Sequence, residues 1–414
     1  MLKKVILGLM VLALLPLALP AVHSQDGGGE SCFLAVDTEY LEDYFVLFEG
    51  DVSQEDYLQT VMDVTRMDAE SAGIPEDLDA EGFSLMEAIS MTLYYVNMDE
   101  LAYSYPEEKA NTVLEGWEVT DWPLARRQEL AAALDAGLLA TDCQGVDLMA
   151  DLGPEAANYL LSRVLVLSGT YEHSLGYTTD ADIYNDVFYT WYSFDQVLMA
   201  ELQAPANEMV KSGVITGYNV KRSTLSAAFD PELSIVYGHS SIDHAIQLIG
   251  LLRSEGISAK VALEPKTSAF LYLAEWGEPT ESPSFQVEPL EDGNYIAYAK
   301  EYDLVFEFES MEDKERFDGI IKSYAKKNEG DLEGLIVDSW WQPLYSSRVP
   351  MNDYIQVTNN LAAMGDFYVQ SFALMENSET VLAEFEAAYP DAEVWMEDLW
   401  VNEAFHNYLM GEAQ

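Results

Sequence analysis

From residue 52 to about residue 168 apolar side chains return every three or four positions, and Gly or Pro interrupts them at intervals. VSQEDYLQTVMDVTRM, FSLMEAISMTLYYVNM, YPEEKANTVLEGW, WPLARRQELAAALDAG and LGPEAANYLLSRVLVL all carry this period, which predicts a run of amphipathic helices. In the last of them Ala156, Tyr159, Leu160, Val164 and Leu167 fall on one stripe, a core face. The period is lost in SGTYEHSLGYTTDADIYNDVFYTWYSFDQ, where tyrosines and aspartates crowd together; exposed rings beside carboxylates suit stacking on sugars. A helix then ends at Gly213, a loop with Gly217 and Pro231 crosses over, and a second helix runs from about Ser241 to Arg253, stopped by Gly256.

Past residue 256 alternation takes over. ISAKVAL and YIAYAKEYDLVFEFES read as strands, MEDKERFDGIIKSYAKKN as a helix with a Ser310–Asp313 capping box, and GLIVDSWWQPLY and FYVQSFALM as further strands. NSETVLAEFEAAYP and EVWMEDLWVNEAFHNYLM read as closing helices. The expected fold class is therefore α+β: a helical repeat region over 25–256, then a smaller α+β domain over 257–414 with a mostly antiparallel sheet.

The first residues, MLKKVILGLMVLALLPLALPAVHSQ, have the anatomy of a secretory signal peptide over 1–24, with Val22 and Ser24 suiting a cut after Ser24; a retained anchor is the alternative. An exported, extracytoplasmic protein follows, secreted or at the cell surface, with no membrane insertion after cleavage. In an oxidising compartment its two cysteines, Cys32 and Cys143, are expected to form one bridge. Asp and Glu number 73 against 20 Lys and Arg, a formal charge of −53, which argues against nucleic acid and anionic lipid as partners. The acidic segment TTDADIYND lacks the glycine and distal glutamate of a calcium loop, so no metal or cofactor is assigned, with diffuse calcium association left open.

The charge is uneven, and that directs attention to one window. Residues 211–266 hold six basic and five acidic side chains in an otherwise acidic chain. Within it, Lys221, Arg222, His239 and Lys266, with Trp276 just beyond, form a candidate ligand-binding set. The same window contains YGHSSIDHAIQLIGLLRSEG. Read structurally, Ser240 caps a helix, Asp243 completes the Ser-x-x-acid box, and Ile242, Ala245, Ile249 and Leu252 form the buried stripe. Read catalytically, Ser241 is a nucleophile served by His239 or His244, one helical turn apart from it, with Asp243 close by.

The phrases WPLARRQELAAALDAGLLA followed by LGPEAANYLLSRVL, and MVKSGVITGY followed by FDPELSI, resemble degenerate S-layer-homology repeats over about 52–256. That resemblance implies paired helices that attach to a cell-wall polysaccharide or to a surface protein, without catalysis. The arginine of the family's second helix is missing from LGPEA and IVYGHSS. Separately, SSIDHAIQLIGLLRSEGISAKVAL resembles the nucleophile helix of transglutaminase-like papain-fold proteins, with Ser241 at the cysteine position. It implies an exported hydrolase-like relative centred on Ser241, and an inactive one, because His406 is the only histidine after His244.

Overall fold

The computed structural model describes residues 32–33, 36–65, 83–141, 143–326, 333–338 and 344–411; the expected signal peptide lies outside them. The chain divides into two compact units at Val164/Leu165. The first contains helices α1 (Thr38–Tyr44), α2 (Gln54–Thr65), α3 (Leu85–Tyr95), α4 (Asp99–Tyr103), α5 (Glu107–Val113), α6 (Leu124–Asp135) and most of α7 (Pro154–Ser168). The helix α6 packs against α3, α4 and α5 and buries Leu130, Ala131, Ala133 and Leu134. Ser84 starts α3 with a full capping box: its hydroxyl accepts from the Glu87 amide, and the Glu87 carboxylate accepts from the Ser84 amide. Cys32 and Cys143 are joined in a disulfide within this unit.

The second unit is built around a barrel. Its strands are β1 (Gly176–Tyr177), β2 (Gly217–Arg222), β3 (Ser234–His239), β4 (Ala259–Tyr272), β5 (Phe285–Pro289), β6 (Tyr295–Phe308), β7 (Leu344–Ser347), β8 (Ile355–Met364), β9 (Phe367–Leu374) and β10 (Glu393–Val401). Eight of them close in the order β4-β2-β9-β8-β10-β7-β3-β6, with β6 pairing back onto β4; β1 adds to β4 and β5 to β6. Every pairing is antiparallel. Closure leaves no exposed edge among the eight, and eight strands give a lumen wide enough for side chains or one small ligand.

Helices coat the outside. The helices α8 (Ile183–Ser193), α10 (Ile242–Ser254) and α11 (Met311–Tyr324) bury Val187, Leu248 and Phe317 against Tyr237, Leu263 and Phe306. On another side α9 (Ala200–Ser212) and α12 (Ser378–Ala388) bury Met209 and Phe385 against Val220, Ala362 and Val369. The last helix, α13 (Glu403–Leu409), is the exception: it closes on the lumen, with Phe405 and Leu409 packed against the inward-facing Val357, Leu399 and Val401. No described helix is long and apolar enough to cross a membrane.

The barrel overturns the expected helical region through residue 256 followed by a small sheet domain. Two of its strands, β2 and β3, lie where a loop between repeat helices was expected. GVITGY is not a helix-to-loop phrase: Gly213 ends α9 in the left-handed conformation at φ 74°, and Gly217 opens β2. A Cβ on Gly217 would sit 2.8 Å from the Ala269 carbonyl oxygen of β4, so the glycine permits the close pairing. EVWMEDLWV is likewise a strand, β10, paired with β8 over nine positions, and only the residues after it form a helix. Strand pairing outweighed a local pattern that alternation and helical period fit about equally well.

Candidate functional site

The site grows out of one face of the long β4–β6 hairpin. In its register Lys260 faces Glu307, Ala262 faces Val305, Glu264 faces Asp303, Lys266 faces Glu301, and Ser268 faces Ala299. Directly opposed residues share a face, and these point into the lumen. Lys260–Glu307 closes an opposite-charge pair at 2.6 Å, while Glu264 against Asp303 sets two carboxylates together and would be repulsive on its own.

The neighbouring strand β2 removes that conflict. Lys221 Nζ lies 2.8 Å from Glu264 Oε2 and 2.5 Å from Asp303 Oδ2, and Lys266 Nζ lies 2.6 Å from Asp303 Oδ1. All four side chains are buried. Burial would raise the Asp303 carboxyl, but Lys221 and Lys266 outweigh it and hold it at about 2. Burial likewise opposes the Lys221 charge, yet Asp303 and Glu264 outweigh it and push its pKa well above the ordinary lysine value. The remaining Glu264 oxygen, Oε1, accepts from the Ala227 amide at 2.7 Å and ties down the loop after β2. From that loop Phe229 packs on Ala262 and Val305 and fills this end of the lumen.

Beyond the ion cluster the lumen opens into a cavity of about 560 Å³. Lys266, Asp303, Glu301, Ser268 and Asn219 supply its polar wall; Phe270, Phe372, Phe405, Tyr408 and Trp276 supply its aromatic one. Ser268 Oγ lies 2.6 Å from both Asn219 Oδ1 and Glu301 Oε2. Burial pushes the Glu301 carboxyl above the usual carboxylate range, against the pull of Lys266 and the Ser268 hydroxyl. The strand β3 passes the ion cluster at Gly238, where a Cβ would meet Asp303 Oδ1 at 3.2 Å.

Alternation decides the fate of the five residues singled out for ligand binding. Lys221 points into the lumen, whereas its neighbour Arg222 points out and lies over the Phe367 ring, 5.3 Å from its centroid. Lys266 lines the cavity and Trp276 stands at its rim, 57% exposed and edge-on to Tyr272. His239 is on the opposite face of β3 from Gly238, outside the barrel. The structure thus gathers Lys221, Lys266 and Trp276 around one lumen and excludes Arg222 and His239 from it.

His239 belongs instead to a second polar cluster, with the residues singled out for catalysis. The His239 and His244 rings stack at 4.0 Å, and Tyr237 stacks on His244 at 5.5 Å. The Ser241 amide donates to His239 Nδ1 at 2.9 Å, so Nε2 carries the proton and donates to the Asp338 carbonyl at 3.1 Å. In His244, Nδ1 donates to the Val337 carbonyl at 2.7 Å and Nε2 accepts from the Tyr237 hydroxyl at 2.8 Å. Burial, and for His239 also the neighbouring His244, holds both imidazoles below their ordinary pKa, His239 at about 3.

Ser241 itself donates to Asp338 Oδ2 at 2.6 Å, and its carbonyl accepts from the Tyr302 hydroxyl at 2.7 Å. It occupies the N-cap of α10 with no hydroxyl bond to the helix, so the Ser240–Asp243 box does not form; Asp243 is an acidic residue of the first turn and nothing more. Ser241 and both histidines are brought together, but the hydroxyl faces a carboxylate and each described imidazole nitrogen is committed elsewhere. That is not the nucleophile–base geometry of a serine triad. Among the described residues no group of three His, Cys, Asp or Glu is arranged to hold a metal ion.

Sequence reasoning missed Glu301, Asp303, Ser268 and the α13 aromatics. The signal that could have found the first three is polar spacing at i, i+2 inside predicted strands, as in Glu264-x-Lys266-x-Ser268 and Glu301-x-Asp303. No protein-family model matches this chain, and no curated protein or solved structure matches it either.

Proposed function

We propose that this is a non-catalytic binding protein whose ligand is a small molecule held inside the barrel. The observation that carries the reading is the lumen itself: about 560 Å³, with a charged, hydrogen-bonded wall at one end and aromatic side chains at the other. Pockets of this size, mostly apolar with a few converging polar groups, are how proteins fix and orient small ligands. The ring of paired strands supplies a rigid frame, and the paired ions keep the polar wall in place without a ligand's help.

A ligand that binds only the folded barrel raises the melting temperature by mass action. Screening small molecules by thermal shift, with native mass spectrometry for stoichiometry, tests this directly. Ser346→Phe, from a buried lumen position of β7, fills the cavity and is expected to abolish the shift while leaving the circular dichroism spectrum intact. A screen without any stabilising compound, and with the same result for wild type and Ser346→Phe, counts against the reading.

A second reading keeps attachment to a cell-wall glycan at an extracytoplasmic location. What favours it is α8, where Tyr189 is 76% and Tyr192 71% exposed beside Asp186 and Asp195 in sequence, with Tyr192 stacked on Phe188. Sedimentation with purified wall polysaccharide checks it: Tyr189→Ala with Tyr192→Ala should release the protein from the pellet, and equal sedimentation of the double variant removes the tyrosines from consideration.

A further inference from the structure

The cavity wall carries Lys266 and Lys326 against Asp303 and Glu301, and among the described residues Glu301 stands outside the ion pairs. Lys221 and Lys266 are matched by Glu264 and Asp303, and no lysine or arginine nitrogen among the described residues lies within ion-pair distance of Glu301. Its hydrogen bonding is short of donors too. The single proton of the Ser268 hydroxyl faces two acceptors at 2.6 Å, Asn219 Oδ1 and Glu301 Oε2. Further round the same inward layer, Asn359 pairs with the cavity residue Phe372, and its buried Oδ1 has no hydrogen-bond partner. Acceptors short of donors, and a carboxylate outside the ion pairs of the described residues, define the complement: a group that is positively charged and rich in N–H. The aromatic wall suits the rest of such a molecule, since rings attract both apolar surface and ammonium charge. A chain carrying −53 draws cations toward it from solution.

We propose that the barrel binds a small amphipathic organic cation, an ammonium group on an apolar body, with Glu301 as its counter-ion and Phe270, Phe372, Tyr408 and Trp276 around its body. The proposal rests on the cavity being the ligand site. Without a ligand, the Glu301 carboxylate shares the one Ser268 hydroxyl proton with Asn219 Oδ1. When the ammonium arrives, its N–H groups supply the missing donors and the carboxylate pairs with the cation.

Calorimetric titration with 4-phenylbutylammonium, 4-phenylbutanol and 4-phenylbutyrate tests the charge. The ammonium is expected to bind at least tenfold tighter than the alcohol, and the carboxylate more weakly than either. Glu301→Gln should erase the preference while the alcohol binds as before. Trp276→Phe, at an exposed rim position, folds independently of the lumen and should remove the ligand-dependent fluorescence change. Equal affinity for alcohol and ammonium, or tighter binding of the carboxylate, overturns the cation assignment and leaves the lumen as a ligand site. Failure of all three to bind, with unchanged tryptophan fluorescence, overturns both.

Discussion

The two faces of β3 bury polar groups by opposite means. Inward, at Gly238, the strand passes four ionised side chains that neutralise one another; outward, Tyr237 and His239 join His244 in a stack whose members stay neutral and whose nitrogens are each assigned a partner. Pairing preserves charge and therefore a field; neutralisation removes it. The inner cluster adjoins open volume and keeps one carboxylate out of its pairs, whereas the outer cluster is closed by hydrogen bonds to Asp338, Val337 and Ser241. Crowded histidines and serines mark a finished piece of core here, and the open volume lies beside the residues that look merely ionic.

That contrast can be broken from either side. The largest effect is expected for Lys221→Met, which leaves Glu264 and Asp303 opposed and buried with one cation between them; such losses cost about 3–5 kcal/mol, measurable by urea denaturation. Next comes pH. The folded-state histidine pKa values lie below the unfolded value of about 6.5, so the unfolded chain binds more protons between roughly pH 6.5 and 3 and stability falls as pH drops through that window. A loss on the order of 3 kcal/mol is expected, and His239→Gln should flatten the slope. Asp303, at about 2 when folded, acts lower, its contribution being lost as pH falls from about 4 toward 2. Loss of stability confined below pH 4 would remove the neutral stack from the account.

Smaller changes sharpen the boundary between the faces. Gly238→Ala forces a methyl group against Asp303 from the inner side and should cost about 1–2 kcal/mol, while displacing the Lys266 pair and weakening any ligand-dependent thermal shift. Tyr237→Phe removes the donor to His244 Nε2 on the outer side and should cost about 1 kcal/mol, with no change in that shift. Both are read from melting curves with and without ligand; equal effects on the shift would mean that the two clusters are coupled through the strand.

How far the sequence reveals this arrangement depends on the length over which a pattern persists. The helices α3, α6 and α7 follow from period alone, because the apolar recurrence persists over 11, 12 and 15 residues. The strands β2 and β3 have six residues each and sit among glycines, so a helical repeat reading absorbed them as loop. A closed barrel is also a non-local fact: Asn219 pairs with Gln370, and nothing near either residue records the other. For the same reason the window around Lys221 and Lys266 was legible as unusually balanced in charge, but not the identity of the carboxylates that balance it. Asp303 lies outside that window altogether, and Arg222 was grouped with Lys221 because proximity in sequence conceals opposite faces of a strand.

The ring has one short join. Among the described residues the β4–β6 ladder runs through fourteen residue pairs, whereas β10 meets β7 only at Trp400–Ser347 and Val401–Ser346. Two strands held by so few bonds separate at lower free energy than the rest of the wall, so amide exchange along β7 and the end of β10 should outpace exchange along β4 and β6. Leu344 and Ser346 of that join also line the cavity. For the ligand proposed above, the expected residence time is set less by the depth of the pocket than by how often this seam parts.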